Sequence, residues 1–190
     1  MMRATHTILL GLAIALSACD GGGGGVKASE PEGTRREALA HWNSINGRDP
    51  IVRMRVWEEV VDGKWVKQGE FVFYDTVGRE IASGTYENGL EHGPWVQTEE
   101  DGDRGHGRFV QGKRDGGWTY YYRNGAVQEA GAYVDGRKHG QWLRYFENGD
   151  PRAELMYREG ELHGECRFYE EDGSVDSLLT GRYAYGSRVP

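Results

Sequence analysis

The chain has 190 residues, a formal net charge of −7, 37% hydrophobic residues, 12% aromatics and 30 glycines. An acidic balance is repelled by phosphate backbones and anionic headgroups, which excludes nucleic acid as a partner. Abundant glycine with little aliphatic residue suits many short strands joined by tight turns and excludes a thick globular core.

Residues 1–18 have the layout of a secretory signal peptide. Arg3 and His6 make a short polar start, and Ile8 to Leu16 make a nine-residue apolar run. A helix crossing the hydrocarbon core needs about 20 apolar residues; the shorter run fits a signal-peptide core instead. Leu16-Ser17-Ala18-Cys19 resembles the lipobox of bacterial lipoproteins. That resemblance implies diacylglycerol transfer to the Cys19 thiol, cleavage after Ala18 and acylation of the new amino terminus. An ordinary signal peptide cut near Ala18, or a buried first helix, is the plainer alternative. Two or more acyl chains hold a protein on a membrane stably where one does not. Asp20 resembles the signal that retains enteric lipoproteins in the inner membrane, so the expected location is the cell envelope. Residues 19–33 then supply the lipidated cysteine and a flexible tether containing Gly21 to Gly25. Its 14 residues from Asp20 to Gly33 have a typical reach of about 20 Å. Loss of residues 1–18 removes one arginine, leaving 22 basic against 30 acidic residues, net −8. With Cys19 acylated, Cys166 has no partner for an internal disulfide and reads as a small buried apolar residue.

Residues 34–47 predict one short amphipathic helix. Thr34-Arg35-Arg36-Glu37 has the form of a capping box, Ala38, Leu39, Trp42 and Ile45 fall on one helical face, and Gly47 closes it. Its expected role is to cover the open end of a sheet. Residues 48–68 predict a hairpin, with Val52, Met54, Val56 and Val60 on one side of the first strand and Asp62-Gly63 as the turn.

Residues 69–186 carry five repeats. The anchors are Phe71, Trp95, Trp118 and Trp142, with Cys166 in the fifth slot, at steps of 24, 23, 24 and 24. Glycines stand two before and seven after each anchor. A tyrosine follows three after at Tyr74, Tyr121, Tyr145 and Tyr169, with Thr98 the exception. A second aromatic recurs at Tyr86, Phe109, Tyr133 and Tyr157. Each unit reads strand, turn, strand, turn, so five units stack to roughly 48 Å at ~4.8 Å per strand. Such units bury apolar surface only against their neighbours. Strand alternation puts the +3 tyrosines on the face opposite the anchors; which face is the more buried stays open. The second unit departs most, with Thr98, the acidic run Glu99 to Asp103 and one residue fewer before Phe109.

The motif Gly-x-Trp-x-x-Tyr-x-x-Asn-Gly followed by Gly-x-Tyr-x-x-Gly-x-x-His-Gly, clearest in residues 116–164, resembles the bacterial MORN-repeat variant family, in the form labelled YwqK-like antitoxin. The resemblance implies an all-β fold, an elongated single-layer twisted antiparallel sheet of β-hairpin repeats of about 24 residues. With the short N-terminal helix, that is the expected fold class.

Little in the chain points to chemistry. His92, His139 and His163 hold equivalent places, so adjacent copies lie two strands apart, roughly 9.6 Å, whereas two ligands of one zinc ion stand about 3.3 Å apart. The acidic run lacks the ligand order of an EF-hand, no glycine loop cradles a phosphate, and no serine stands in a nucleophile elbow. A turn on a thin sheet has no apolar cleft to tune a carboxylate. The expected protein is therefore not an enzyme and needs no cofactor or metal. It is a membrane-tethered lipoprotein that binds a protein partner, with Tyr74, Tyr121, Tyr145 and Tyr169 as the candidate contact residues. The same tyrosines also suit a structural stack between strands. Lys113-Arg114 and Arg137-Lys138 make a small basic edge suited to headgroups. An antitoxin or immunity-type protein, and an envelope glycan-binding structural protein, are the rival readings.

Overall fold

The computed structural model describes residues 35–41, 52–98 and 102–190. Residues 1–31 and 32–190 separate into two units, and only the second contains described residues; the signal peptide, Cys19 and the tether lie outside them.

The described residues form one open antiparallel sheet in which almost every strand pairs with its neighbour in sequence. It starts with β1 (Arg35–His41), β2 (Val52–Val61), β3 (Lys64–Tyr74), β4 (Glu80–Glu87) and β5 (Leu90–Thr98). It continues with β6 (Arg104–Val110), the short β7 (Lys113–Arg114), β8 (Gly116–Tyr121), β9 (Val127–Val134) and β10 (Arg137–Tyr145). It ends with β11 (Pro151–Arg158), the short β12 (Glu161–Leu162), β13 (Gly164–Phe168), β14 (Gly181–Ala184) and β15 (Ser187–Arg188).

The helix expected over 34–47 is replaced over residues 35–41 by β1; the rest of that segment lies outside the described residues. Tertiary pairing overrides the local pattern here. Alternate residues Arg36, Ala38 and Ala40 face the core side of β2 while Arg35, Glu37 and Leu39 are exposed. Three ion pairs tie the strands: Arg35–Glu59 at 3.6 Å, Arg36–Glu58 at 2.8 Å and Arg55–Glu37 at 3.0 Å. The Arg36 guanidinium also lies 4.1 Å over the Trp65 ring. A helix would have left the backbone edge of β2 unpaired, a costlier arrangement than giving up a cap. In β2 Met54 and Val56 are buried, whereas Val60, next to the hairpin turn, is 39% exposed.

One face of the sheet is the core. Val56, Phe71, Gly84, Trp95 and Gly107 are successive cross-strand partners, and Trp118, Gly131, Trp142 and Leu155 continue the row. Large and absent side chains alternate along it. A Cβ on Gly84, Gly107 or Gly131 would fall 2.1, 2.1 or 2.3 Å from the ring of Trp95, Trp118 or Trp142. Each indole therefore lies flat on the bare backbone of the strand before it, which is how Trp118 and Trp142 reach 1% and 0% exposure without a second layer. The second aromatics fill the gaps edge-on, with ring centroids 5.3 Å apart for Trp95–Phe109 and Phe109–Trp118 and 5.1 Å for Tyr133–Trp142. Such pairs contribute about 0.5–1.5 kcal/mol each beyond burial. The indole N–H of Trp118 donates to the Arg108 carbonyl and that of Trp142 to the Ala132 carbonyl, both at 3.0 Å.

The last step of the row keeps its volume and changes its parts. Leu155 stands where the earlier units have glycine, Cys166 stands where they have an aromatic anchor, and both are buried to 1–2%. The Cys166 thiol points at the Met156 carbonyl at 4.0 Å, as the indoles do one unit earlier. Burial pushes the thiol pKa up, so it behaves as a small apolar residue.

Two turn types alternate. Asn88-Gly89, Gln111-Gly112, Asp135-Gly136 and Glu159-Gly160 have positive φ at both residues, the mark of type I′ hairpins. The glycine N–H of each donates to a carbonyl one unit back: Gly112 to Glu91 at 2.8 Å, Gly136 to Arg114 and Gly160 to Lys138, both at 2.9 Å. The opposite edge uses turns such as Arg123-Asn124-Gly125, where the Asn124 side chain accepts from the Ala126 N–H at 2.8 Å.

Candidate functional site

The second face of the sheet is open: among the described residues nothing is layered over it. Its central row runs Val72, Ser83, Val96, His106, Thr119, Ala130, Leu143, Glu154 and Arg167, each the cross-strand partner of the next. The tyrosines three residues after the anchors lie on this face, as strand alternation predicts, and all four are half-buried.

Each of three tyrosines is held by a polar or ring contact on an adjoining strand. Tyr74 hydrogen-bonds Arg55, which raises the guanidinium pKa. Tyr121 packs on the His106 ring with centroids 5.0 Å apart. The Tyr169 hydroxyl donates to the Glu154 carboxylate at 2.9 Å, and Arg167 is held by Tyr169 in turn. Tyr145 offers its backbone: its carbonyl accepts the Tyr122 hydroxyl at 2.7 Å. Successive copies are two strands apart, about 9.6 Å, so the four form separate fixed points and not one stack. Stacking between strands is supplied instead by the anchors and second aromatics on the core face.

The basic edge expected from Lys113-Arg114 and Arg137-Lys138 is divided by strand alternation. Lys113 and Arg137 are exposed at their turns, whereas Arg114 and Lys138 fold over the core rings. The Arg114 guanidinium lies 4.9 Å from the Trp118 ring centre, and the Lys138 ammonium 3.9 Å from that of Trp142. Lys138 also pairs with Glu129 at 2.7 Å, and Arg144 pairs with the same carboxylate at 3.0 Å. Burial lowers the Lys138 pKa, with Glu129 opposing it. A carboxylate held between two cations is neutralised and has no free lone pair aimed at a cleft, so this cluster reads as packing. The sequence pattern did not reveal these inward cations, because it takes strand register to see that the residue four before an anchor folds over that anchor's own ring.

The histidines are placed individually. His92 lies 3.1 Å from Glu87, His163 meets the Tyr185 ring at 5.8 Å, and His139 is exposed. Among the described residues no group of three or more His, Cys, Asp or Glu side chains is arranged to hold a metal. Cys19, the expected lipidation site, lies outside the described residues.

Comparison with known proteins finds one repeat-model match and two low-identity structural matches. Residues 138–159 match the MORN repeat variant model, which spans the stretch from Lys138 through β11. No curated protein matches the chain. Among solved structures, S. aureus TarM in complex with Fondaparinux, alpha-GlcNAc-glycerol and UDP is 15% identical, with 56% of this chain and 19% of that chain covered and a TM-score of 0.31. A second TarM structure is 16% identical, with 62% and 20% covered and a TM-score of 0.31. The chain thus spans about a fifth of the length of those proteins.

Proposed function

We propose that this protein is a non-catalytic lipoprotein of the cell envelope, tethered to a bacterial membrane through Cys19, whose repeat sheet binds a protein partner on its open face. The observation that carries the reading is the division of labour between faces. The anchors and second aromatics consume one face, while the other keeps Tyr74, Tyr121, Tyr145 and Tyr169 at fixed, half-exposed positions with nothing over them among the described residues. Rigid tyrosines with a polar tip supply contact area at low entropic cost. The MORN repeat variant match supports a repeat-type binding protein. A glycan-binding role would use the same tyrosines against sugar rings, and salt-resistant retention on a polysaccharide column that is lost with Tyr121→Ala would favour it. An antitoxin-type role would use the same open face against one effector, and a co-encoded toxic neighbour would favour it.

The test is affinity capture of the intact chain from its native membranes, alongside Cys19→Ser and Tyr121→Ala/Tyr145→Ala variants. The reading expects one stoichiometric protein, lost with the tyrosine pair, and release of the Cys19→Ser chain from the membrane fraction. A Cys19→Ser chain that stays membrane-bound would remove the tether. A capture unchanged by the tyrosine pair would remove the face.

A further inference from the structure

One stretch of the open face differs from every other. On β6 the sequence Arg104-Gly105-His106-Gly107-Arg108 alternates strictly between faces, and Arg104, His106 and Arg108 are all exposed. Gly107 is required on the core side, where a Cβ would fall 2.1 Å from the Trp118 ring, and a Cβ on Gly105 would sit a tight 3.1 Å from the Tyr120 ring. The equivalent open-face positions are Ile81, Ser83 and Thr85 on β4, and Gln128, Ala130 and Ala132 on β9. Asp115, directly after β7, lies opposite Arg108, its N–H donating to the Arg108 carbonyl at 3.0 Å, and the residues that face the three side chains on β5 and β8 carry no opposing charge. Pro94, Val96 and Thr98 of β5 face Arg108, His106 and Arg104, and Thr119 and Tyr121 of β8 face His106 and Arg104 on the other side. Asp103, at the start of the strand, accepts from the Arg123 N–H at 3.0 Å and from Gln128 at 2.7 Å. Among the described residues neither guanidinium has an ion-pair partner.

We infer that this patch docks an acidic, extended segment of the protein partner, with Arg104 and Arg108 each engaging a carboxylate and the Tyr121–His106 pair lying between them. The inference rests on the reading of the open face as the binding surface. Arginine forks match carboxylates bidentately, and arginine with tyrosine and without lysine is the composition of protein interfaces. Side chains two apart on a strand are separated by about 6.7 Å, the same repeat that an extended peptide presents on one side. The occupant is a polypeptide and not a uniform polyanion, because the molecule as a whole is acidic. Beyond a Debye length of about 10 Å a bilayer or nucleic acid meets that net repulsion, whereas a short segment meets the local charges, where the Arg104 and Arg108 guanidinium groups project from the open face beside Asp103 and Asp115.

The full chain is titrated at low salt with a ten-residue peptide alternating threonine and glutamate, its glutamine counterpart, phosphatidylglycerol vesicles and a single-stranded oligonucleotide. The glutamate peptide is expected to bind, the glutamine peptide not to bind, and Arg104→Gln/Arg108→Gln to weaken binding by about tenfold or more, the loss of at least one charge-assisted contact. The turn-edge pair Lys64→Gln/Arg137→Gln matches the charge change and should leave binding within about twofold. Unchanged far-ultraviolet dichroism shows that the exposed arginines were not needed for folding. No binding of the glutamate peptide, equal loss in both charge pairs, or tighter binding of vesicles or oligonucleotide overturns the proposal. A membrane-captured partner that ignores Arg104→Gln/Arg108→Gln but is lost with the tyrosine pair overturns it too, and leaves the binding function standing.

Discussion

On the core face the packing of an indole on a bare glycine repeats from unit to unit, as Trp95 on Gly84, Trp118 on Gly107 and Trp142 on Gly131, whereas on the open face equivalent positions change freely: Ser83, His106, Ala130 and Glu154 succeed one another in the same slot. The core face has no freedom because an indole there needs a bare backbone behind it. The open face has no such neighbour to satisfy, so its side chains can be chosen for a partner. Even the exception on the core face keeps the rule. Leu155 and Cys166 replace glycine and aromatic together, so the conserved quantity is the filled volume of the pair and not either residue.

That contrast can be broken most forcefully at Trp142. Trp142→Ala should cost about 3–5 kcal/mol, as for other buried large-to-small changes, read by urea unfolding; a loss below about 1 kcal/mol would show that the ring is not the keystone of its unit. Next is Gly131→Ala, whose methyl would collide with the Trp142 ring and should cost about 1–3 kcal/mol or more. Gly117→Ala, with open space around its Cβ and an ordinary φ, is the matched control and should stay within about 0.5 kcal/mol.

Alkali separates the faces by titration. Burial raises the phenol pKa values of Tyr86, Tyr120, Tyr133 and Tyr157 above their ordinary 10.0. The unfolded chain releases these protons near pH 10 while the folded chain keeps them. Stability should therefore fall as pH rises past that point, by up to about 1.4 kcal/mol per pH unit for each phenol. Lys138, lowered by burial, works in the opposite sense up to its unfolded value of 10.5. The check is tyrosinate absorbance followed together with tryptophan fluorescence: the core-face phenols should ionise only as the indoles become exposed. Ionisation of all eleven tyrosines without a fluorescence change would contradict the packing.

The volume rule sharpens through a double-mutant cycle. Leu155→Gly and Cys166→Trp should each destabilise alone, one by a cavity and the other by overpacking, and together recover at least about 1 kcal/mol by recreating the arrangement of the earlier units. Strict additivity would mean the two sites do not share one space. The smallest effect belongs to the open face: Arg104→Gln/Arg108→Gln should leave stability within about 0.5 kcal/mol.

Much of this was legible in the sequence. The period located every core anchor, and alternation put Tyr121 opposite Trp118. The segment at 35–41 was misread because Ala38, Leu39, Trp42 and Ile45 satisfy a helical spacing locally, while the ion pairs to β2 that favour a strand join residues 18 to 24 apart. The Leu155–Cys166 exchange was half visible: the odd cysteine could be seen, but its compensating leucine lies on another strand and has meaning only once register is known. The Arg104–Arg108 patch was hidden for the same reason, since the acidic run just before it drew attention and the faces of β6 could not be assigned without the rings that claim Gly105 and Gly107.

The pairing of each strand with its sequence neighbour also bears on how the chain acquires its structure. No described strand waits for a distant segment, so loop closure costs little at each step. Folding should therefore be fast for its class and able to proceed unit by unit along the chain. Opening should likewise begin at the ends, with amide exchange slowest near Trp118 and Trp142 and fastest at β1 and β15.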